Sequence, residues 1–363
     1  MKPTSCAPVD ECTPTAEIRL DHLYKPIEEQ LELTQSLYED TVLQSAERNY
    51  IHRLLSEEES VVQKEYRVDI ADKIAEHLLQ SRGKWIRAAM VLLCAKACGV
   101  ESADVRQLAV AVELVHMATL IHDDIIDQAD IRRGIESVQC GWGNSIAVLM
   151  GDFLYSKAFK LLLSSNSIKA QSLLAKATGQ MCLGEIKQLR FNGNGSMTEP
   201  DYLEMIENKT ASLMSAATAS GGVIGGLSDE MVERLHEYGH SVGMAFQIAD
   251  DILDYTSSTS ELGKEQGGDL RNGKATLPLI HLLQNDGEKA NSILNSNDPL
   301  EQKTEQILSL MKEFGSIEYA YDVGQKYGSV AKKNLQAIQS VAGESEALTS
   351  LTNLVDFVLN RRR

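Results

Sequence analysis

The chain has 363 residues, and its 52 Asp or Glu against 35 Lys or Arg give a formal net charge of −17. With 43% hydrophobic and 24% charged residues it has a globular composition that excludes wholesale disorder, and its acidity excludes the basic face a nucleic-acid binder needs. Cys6, Cys12, Cys94, Cys98, Cys140 and Cys182 lack zinc or disulfide-framework spacing, no apolar stretch follows Met1, and no apolar run reaches the ~18 residues of a membrane span, so the reading is a protein of the reducing cytoplasm, not integral to membrane.

Residues 1–18 are rich in Pro, Thr, Cys and acids without periodicity and read as a disordered tail; residues 19–363 read as a single all-α domain. Between Pro26 and Pro200 there is no proline, which permits a succession of long helices. Helical spacing predicts helices over 27–47, 56–80, 84–98, 103–127, 145–164, 168–190, 199–224, 228–256, 275–284, 299–313, 316–340 and 346–360. Gly, Ser and Asn punctuate loops at 82–83, 99, 134–143, 192–196, 221–228 and 257–273. Cys94 and Cys98, four apart in an apolar helix, read as small core residues.

The helix through 108–126 is apolar nearly all round, as a central helix of a bundle is, yet it ends in Asp123, Asp124, Asp127 and Asp130. Asp123 and Asp127 point the same way, one turn apart, and such like charges repel unless something positive lies between them. The pattern recurs as Asp250-Asp251-Ile252-Leu253-Asp254, again closing an apolar helix. One such cluster reads as a solvated helix end. Two of them suit Mg²⁺, which is held by a few carboxylates together with substrate phosphates. Cations for a diphosphate occur at Lys84 and Arg87, at Arg132 and Arg133, at Lys209, and at Lys264 and Lys274 around a Gly-rich loop.

These residues resemble the trans-isoprenyl diphosphate synthases, the polyprenyl synthetases, over about 60–340. Six blocks occur in the order of that family: Gly83-Lys84 with Arg87; His116 with Leu120-Ile121-His122-Asp123-Asp124-Ile125-Ile126-Asp127 and Arg132-Arg133-Gly134; Gly151-Asp152-Phe153-Leu154; Lys209-Thr210-Ala211; Gln247 through Tyr255; and Gly263-Lys264 through Gly273-Lys274. The resemblance implies the isoprenoid synthase fold, a helical bundle around a central elongation cavity, and a homodimer. It implies that Asp123, Asp127 and Asp250 ligate Mg²⁺, roughly two or three ions per site, with Asp124 and Asp254 in support. It further implies that Lys84, Arg87, His116 and Arg133 hold isopentenyl diphosphate, and that Arg132, Lys209, Lys264 and Lys274 hold an allylic diphosphate. Thr210 and Gln247 would face the reacting carbons. Two departures stand out: Arg82, Trp85 and Ala88 replace Gly, Arg and Pro of the first block, and Ala275 stands where Pro often follows the last lysine.

In that family the residues just before the first aspartates floor the elongation pocket. Thr119 and Ala118 are small here, so the expectation is a medium or long all-trans product, roughly 30 to 50 carbons, with Met117 and Val115 in a deeper floor. Replacing Ala118 by Phe or Tyr is then expected to shorten it. The alternatives are a shorter-chain (farnesyl or geranylgeranyl) synthase, a cyclase of the same fold, and a non-catalytic synthase subunit. His236-Glu237-Tyr238-Gly239-His240 matches a zinc-protease spacing, but no third ligand is evident and Gly239 weakens the helix that must hold both histidines.

Overall fold

The computed structural model describes residues 18–43, 61–80, 83–165, 167–191, 197–256 and 267–360. The expected N-terminal tail, the far end of the first predicted helix, Arg82 and Lys264 lie outside the described residues.

The longer helices among the described residues are α1 (Glu28–Leu43), α2 (Val61–Gln80), α3 (Ile86–Ala97), α4 (Ala103–Ile126), α5 (Asn144–Ser164), α6 (Ile168–Phe191), α7 (Glu199–Ile206), α8 (Ser212–Ile224), α9 (Asp229–Thr256), α10 (Leu277–Asn285), α11 (Gly287–Leu294), α12 (Leu300–Glu313), α13 (Ser316–Ala342) and α14 (Glu346–Asn360). Among the described residues the fold is all-α apart from a two-stranded hairpin pairing Ile131 with Glu136 and Arg132 with Ile135. None of the described helices is long and apolar enough to cross a membrane.

α4 begins at Ser102, whose hydroxyl accepts the Val105 N–H at 3.3 Å, and buries Leu108, Val110, Val112, Leu114, Val115 and Ile121. Its apolar circumference is used on all sides, because it packs on α1, α3, α5 and α8. α8 is buried along its whole length from Ser212 to Gly222, so its hydroxyls need internal partners. Ser215 donates to the His236 carbonyl at 2.8 Å and Thr218 to the Leu235 carbonyl at 2.7 Å, pinning α8 to α9.

That pair is unusually close. A Cβ on Gly239 would lie 2.5 Å from the Met214 carbonyl, and one on Gly243 would lie 2.5 Å from Ala211 Cα. Gly239 is thus a contact point with α8. The protease-like histidines do not share a site: His240 lies 3.7 Å from Glu207, whereas His236 groups with Glu233 and Glu237.

Three segments differ from the sequence reading. The helix predicted over 199–224 is interrupted by a π-turn at Glu207–Ala211, a local widening that long apolar periodicity does not reveal. The segment between the helices predicted over 275–284 and 299–313, given no element in the sequence reading, contains α11, capped by Asp286, whose carboxylate accepts the Lys289 N–H at 3.3 Å. At the edge of the break predicted at 134–143, Arg133 (φ 51°) and Gly134 (φ 82°) form the two-residue turn of the hairpin, and the break itself holds a short helix at Val138–Trp142.

α6 meets the π-turn at Gly184, where a Cβ would stand 2.5 Å from the Lys209 backbone nitrogen. Backbone cannot yield as a side-chain tip can. Gly184→Ala is expected to lower stability by about 1–3 kcal/mol in urea unfolding and to reduce turnover by displacing Lys209; a variant matching the parent in both would remove this contact from the account.

Candidate active site

The bundle brings the two aspartate clusters, 127 positions apart, to one place. Asp123 near the end of α4 and Asp250 near the end of α9 both line a cavity of about 720 Å³. Asp127, Asp250, Asp251, Asp254 and Asp269 line an adjoining cavity of about 490 Å³. Arg132, Lys209, Thr210, Gln247 and Asp250 line both, so the cavities meet there.

Within each cluster the paired aspartates differ. Asp124 is 3% exposed and lies outside the walls of both cavities; it accepts Arg132 Nε at 2.7 Å. Asp251, also buried, accepts the Tyr202 hydroxyl at 2.7 Å and Gln247 Nε2 at 2.8 Å. Gln247 Oε1 in turn accepts the Thr210 hydroxyl at 2.8 Å. Asp124 and Asp251 therefore anchor the cavity-lining side chains, while Asp123 and Asp250 face the open space. Asp124 thus acts on Arg132 and not on the open space, because a residue one position along a helix is turned by about 100°.

Lys209, delivered by the π-turn, is ion-paired with Glu185, donates to Gln188 Oε1 at 3.0 Å, and lies 3.9 Å from Asp123. Lys274 reaches across to Asp127 Oδ2 at 2.9 Å. Burial pushes the Asp123 carboxyl up to about 6, with Glu185 and Asp127 adding to the rise and Lys209 and Arg132 opposing it. Asp269 is likewise pushed up to about 6, first by burial and then by Asp254. Its backbone N–H donates to Asp254 Oδ2 at 2.9 Å. Several hard oxygen donors crowded enough to raise one another are a donor set that fits Mg²⁺.

A second group of charges lies on the far wall of the larger cavity. Lys84, Arg87, His116, Arg132 and Arg133 line it together. Arg87 is 3.1 Å from His116 Nε2. Burial, then the neighbouring Arg87 and Arg133, holds His116 well below its usual range, so it is neutral at pH 7. Burial also draws Arg87 down to about 10. Glu113, missed in the sequence reading, accepts the Ala88 N–H at 3.0 Å and sits against Arg87 and Arg133; its signal was a lone acid three residues before His116 in an apolar helix. Trp85, in place of a cation, takes a left-handed backbone (φ 56°) and sets its ring edge-to-face on Tyr38 at 5.0 Å. The Tyr24 hydroxyl donates to the Lys84 carbonyl at 2.7 Å.

Comparison with known proteins gives this geometry a context. The polyprenyl synthetase family profile matches residues 68–312. This chain belongs to that family. It is 37% identical over 297 residues, covering 80% of this chain and 90% of the other, to a short chain isoprenyl diphosphate synthase of Methanothermobacter thermautotrophicus. It is 33% identical over 299 residues, 81% and 89% of the two chains, to an octaprenyl diphosphate synthase of Haemophilus influenzae. The crystal structure of polyprenyl synthase from Caulobacter crescentus, complexed with calcium and isoprenyl diphosphate, superposes with a TM-score of 0.83 at 32% identity, over 96% of this chain and 100% of that one. The chain is a prenyltransferase that makes trans-prenyl diphosphates, on the isoprenoid synthase fold.

The apolar part of the family's cavity is here formed by Thr119 and Leu120 of α4, Tyr155 of α5, Met181, Cys182, Ile186 and Leu189 of α6, and Phe246 of α9. Of the four residues expected to shape chain length, Thr119 alone is on this wall. Val115 and Ala118 are fully buried in the core, and Met117 faces a small space beside the hairpin. The expectation for Ala118 is corrected accordingly: a ring there would press into packed α4 neighbours and not into the cavity.

Tyr202→Phe deprives buried Asp251 of a hydroxyl donor. We expect it to cost about 1–3 kcal/mol in urea unfolding with an unchanged denaturant slope; an unaltered midpoint would show that the hydroxyl contributes nothing.

Proposed function

We propose that the enzyme carries out sequential 1′–4 head-to-tail condensation of isopentenyl diphosphate onto an allylic diphosphate, releasing diphosphate and giving an all-trans medium or long polyprenyl diphosphate. The observation that carries this reading is the presence of two cationic groups on two adjoining cavities, Lys84–Arg87–Arg133 lining the larger one and Lys209 with Lys274 at the aspartates, with Arg132 lining both. A cyclase of this fold has one diphosphate to hold; chain elongation has two.

In this reading Asp123, Asp127 and Asp250, supported by Asp254, hold Mg²⁺, which when bound supplies positive charge to the allylic diphosphate. Lys209 and Lys274, fixed by Glu185 and Asp127, stabilise the diphosphate as its C1–O bond breaks. Arg132 is oriented by Asp124, and Lys264, outside the described residues, is assigned to the same diphosphate from the sequence motif alone. The carbonyl oxygen of Gln247 and the hydroxyl of Thr210, locked by Asp251 and each other, turn their dipoles toward the allylic carbons. Lys84, Arg87 and Arg133 with neutral His116 hold isopentenyl diphosphate so that its double bond meets C1, after which a proton leaves to the departing diphosphate. The apolar wall excludes water from the cation. Because Thr119 is small, growth continues past the first condensations.

We also propose a homodimer through α5 and α6. Val148, Leu149, Phe159, Leu163, Ile168, Leu183, Ile186 and Leu189 are all exposed on these helices, Leu163 at 77% and Ile168 at 81%. Ile186 and Leu189 also line the cavity, so a second copy would cover its outer wall.

Turnover with isopentenyl diphosphate and an allylic primer is expected to require Mg²⁺ and to vanish with EDTA; turnover of the primer alone would favour cyclisation. Arg87→Met is expected to raise KM for isopentenyl diphosphate roughly ten- to hundredfold while leaving KM for the primer nearly unchanged, and equal effects on both would sink the two-site assignment. Leu163→Glu combined with Leu183→Glu is expected to convert a particle of twice the 39.9 kDa chain mass into a monomer on sedimentation; a wild-type monomer would refute the dimer.

A further inference from the structure

We propose that the ring of Tyr155 closes the growing-chain branch of the cavity and so sets the product length. The inference rests on the elongation reading above and locates the stop on α5, away from the positions before Asp123.

The registers of three helices carry it. On one face of α4, Ile126, His122 and Thr119 descend the wall about a turn at a time, and Val115, the next step on that face, is fully buried and outside it; His116 and Glu113 continue the lining on the face toward Arg87. On α6, the wall runs from Leu189 through Ile186 to Cys182 and Met181, and Ala177 and Thr178, the next turn, take no part. α5 supplies one wall residue, Tyr155. Its ring centroid lies 5.9 Å from that of His122, so it stands between α4 and the lower end of α6.

Thr119 and Cys182 are small, and Tyr155 is the ring that α5 places on the wall beside His122. Leu154 and Ala158, flanking it on α5, are fully buried and fix the helix that carries it. The side chain itself is only partly buried, so its removal opens space without dismantling a packed core. Prenyl chains grow by five-carbon units away from the diphosphate, so the methyl-bearing end meets this ring when the branch is full. The next condensation then requires atoms where ring atoms already are.

The test is product analysis after incubating purified full-length enzyme with Mg²⁺, labelled isopentenyl diphosphate and an allylic primer. Tyr155→Ala and Tyr155→Leu should each shift the main product longer by at least one five-carbon unit, and Tyr155→Phe should keep the parental length because the ring and not the hydroxyl is the barrier. Cys182→Phe, which adds a ring at the same depth, should shift it shorter. Parental product length in both Tyr155→Ala and Tyr155→Leu would overturn the proposal. So would loss of the first condensation in both, which would place the ring in the reacting geometry. A wild-type enzyme that incorporates no isopentenyl diphosphate would instead overturn the elongation reading itself, which separates the two failures.

Discussion

Concentrated negative charge at the meeting point of α4 and α9 is the constraint around which the molecule is arranged. Asp123, Asp127, Asp250, Asp254 and Asp269 gather there, and burial together with the neighbouring carboxylates raises the proton affinity of Asp123 and Asp269. The protein balances this with side chains from three other segments, Lys209 from the π-turn, Lys274 from the segment leading to α10 and Arg132 from the hairpin, and with the amide of Gln247 on α9 itself. Each balancing group is itself held by a second residue, and that is why Glu185, Gln188, Asp124 and Asp251 are as much a part of the site as the groups they hold. A net charge of −17 is compatible with an anionic substrate for the same reason, since the acids inside the cavity are there to be neutralised by cations. Much of the remaining excess lies elsewhere: the first eighty residues hold 17 acidic and 8 basic side chains and none of the proposed ligands.

Precision at that meeting point depends on backbone contact between helices. Gly239 and Gly243 let α9 approach α8 so closely that Thr210 and Gln247 are within hydrogen-bond distance, and Gly184 does the same for α6 and Lys209. Hydroxyl-to-carbonyl bonds from Ser215 and Thr218 fix the sliding position of α8 against α9. Side-chain packing alone tolerates exchange of volume between neighbours; contacts made by backbone do not.

Much of this was legible in the amino-acid order. The uninterrupted helical spacing, the two aspartate clusters and the cations that accompany them are local patterns, and they point to an all-α bundle with a diphosphate chemistry before any coordinates are seen. What was not legible depends on rotation about helix axes and on partners distant in sequence. Asp123 and Asp124 are adjacent in the chain yet serve opposite faces, and a motif read as a string does not separate them. Glu113, Glu185 and Asp269 acquire meaning only once Arg87, Lys209 and Asp254 are beside them. The π-turn left no trace because its residues are ordinary helix formers, and Ala118 seemed a floor residue only because distance along the chain stood in for direction in space.

The two walls of the larger cavity also differ in how they respond to acidity. On the wall of Lys84, Arg87 and Arg133 the one imidazole, His116, loses its proton far below neutrality, and Arg87 keeps its own until about 10. Across the physiological range His116 and Arg87 therefore keep one charge state each, neutral and positive, so the electrostatic character of this wall does not depend on an imidazole switching.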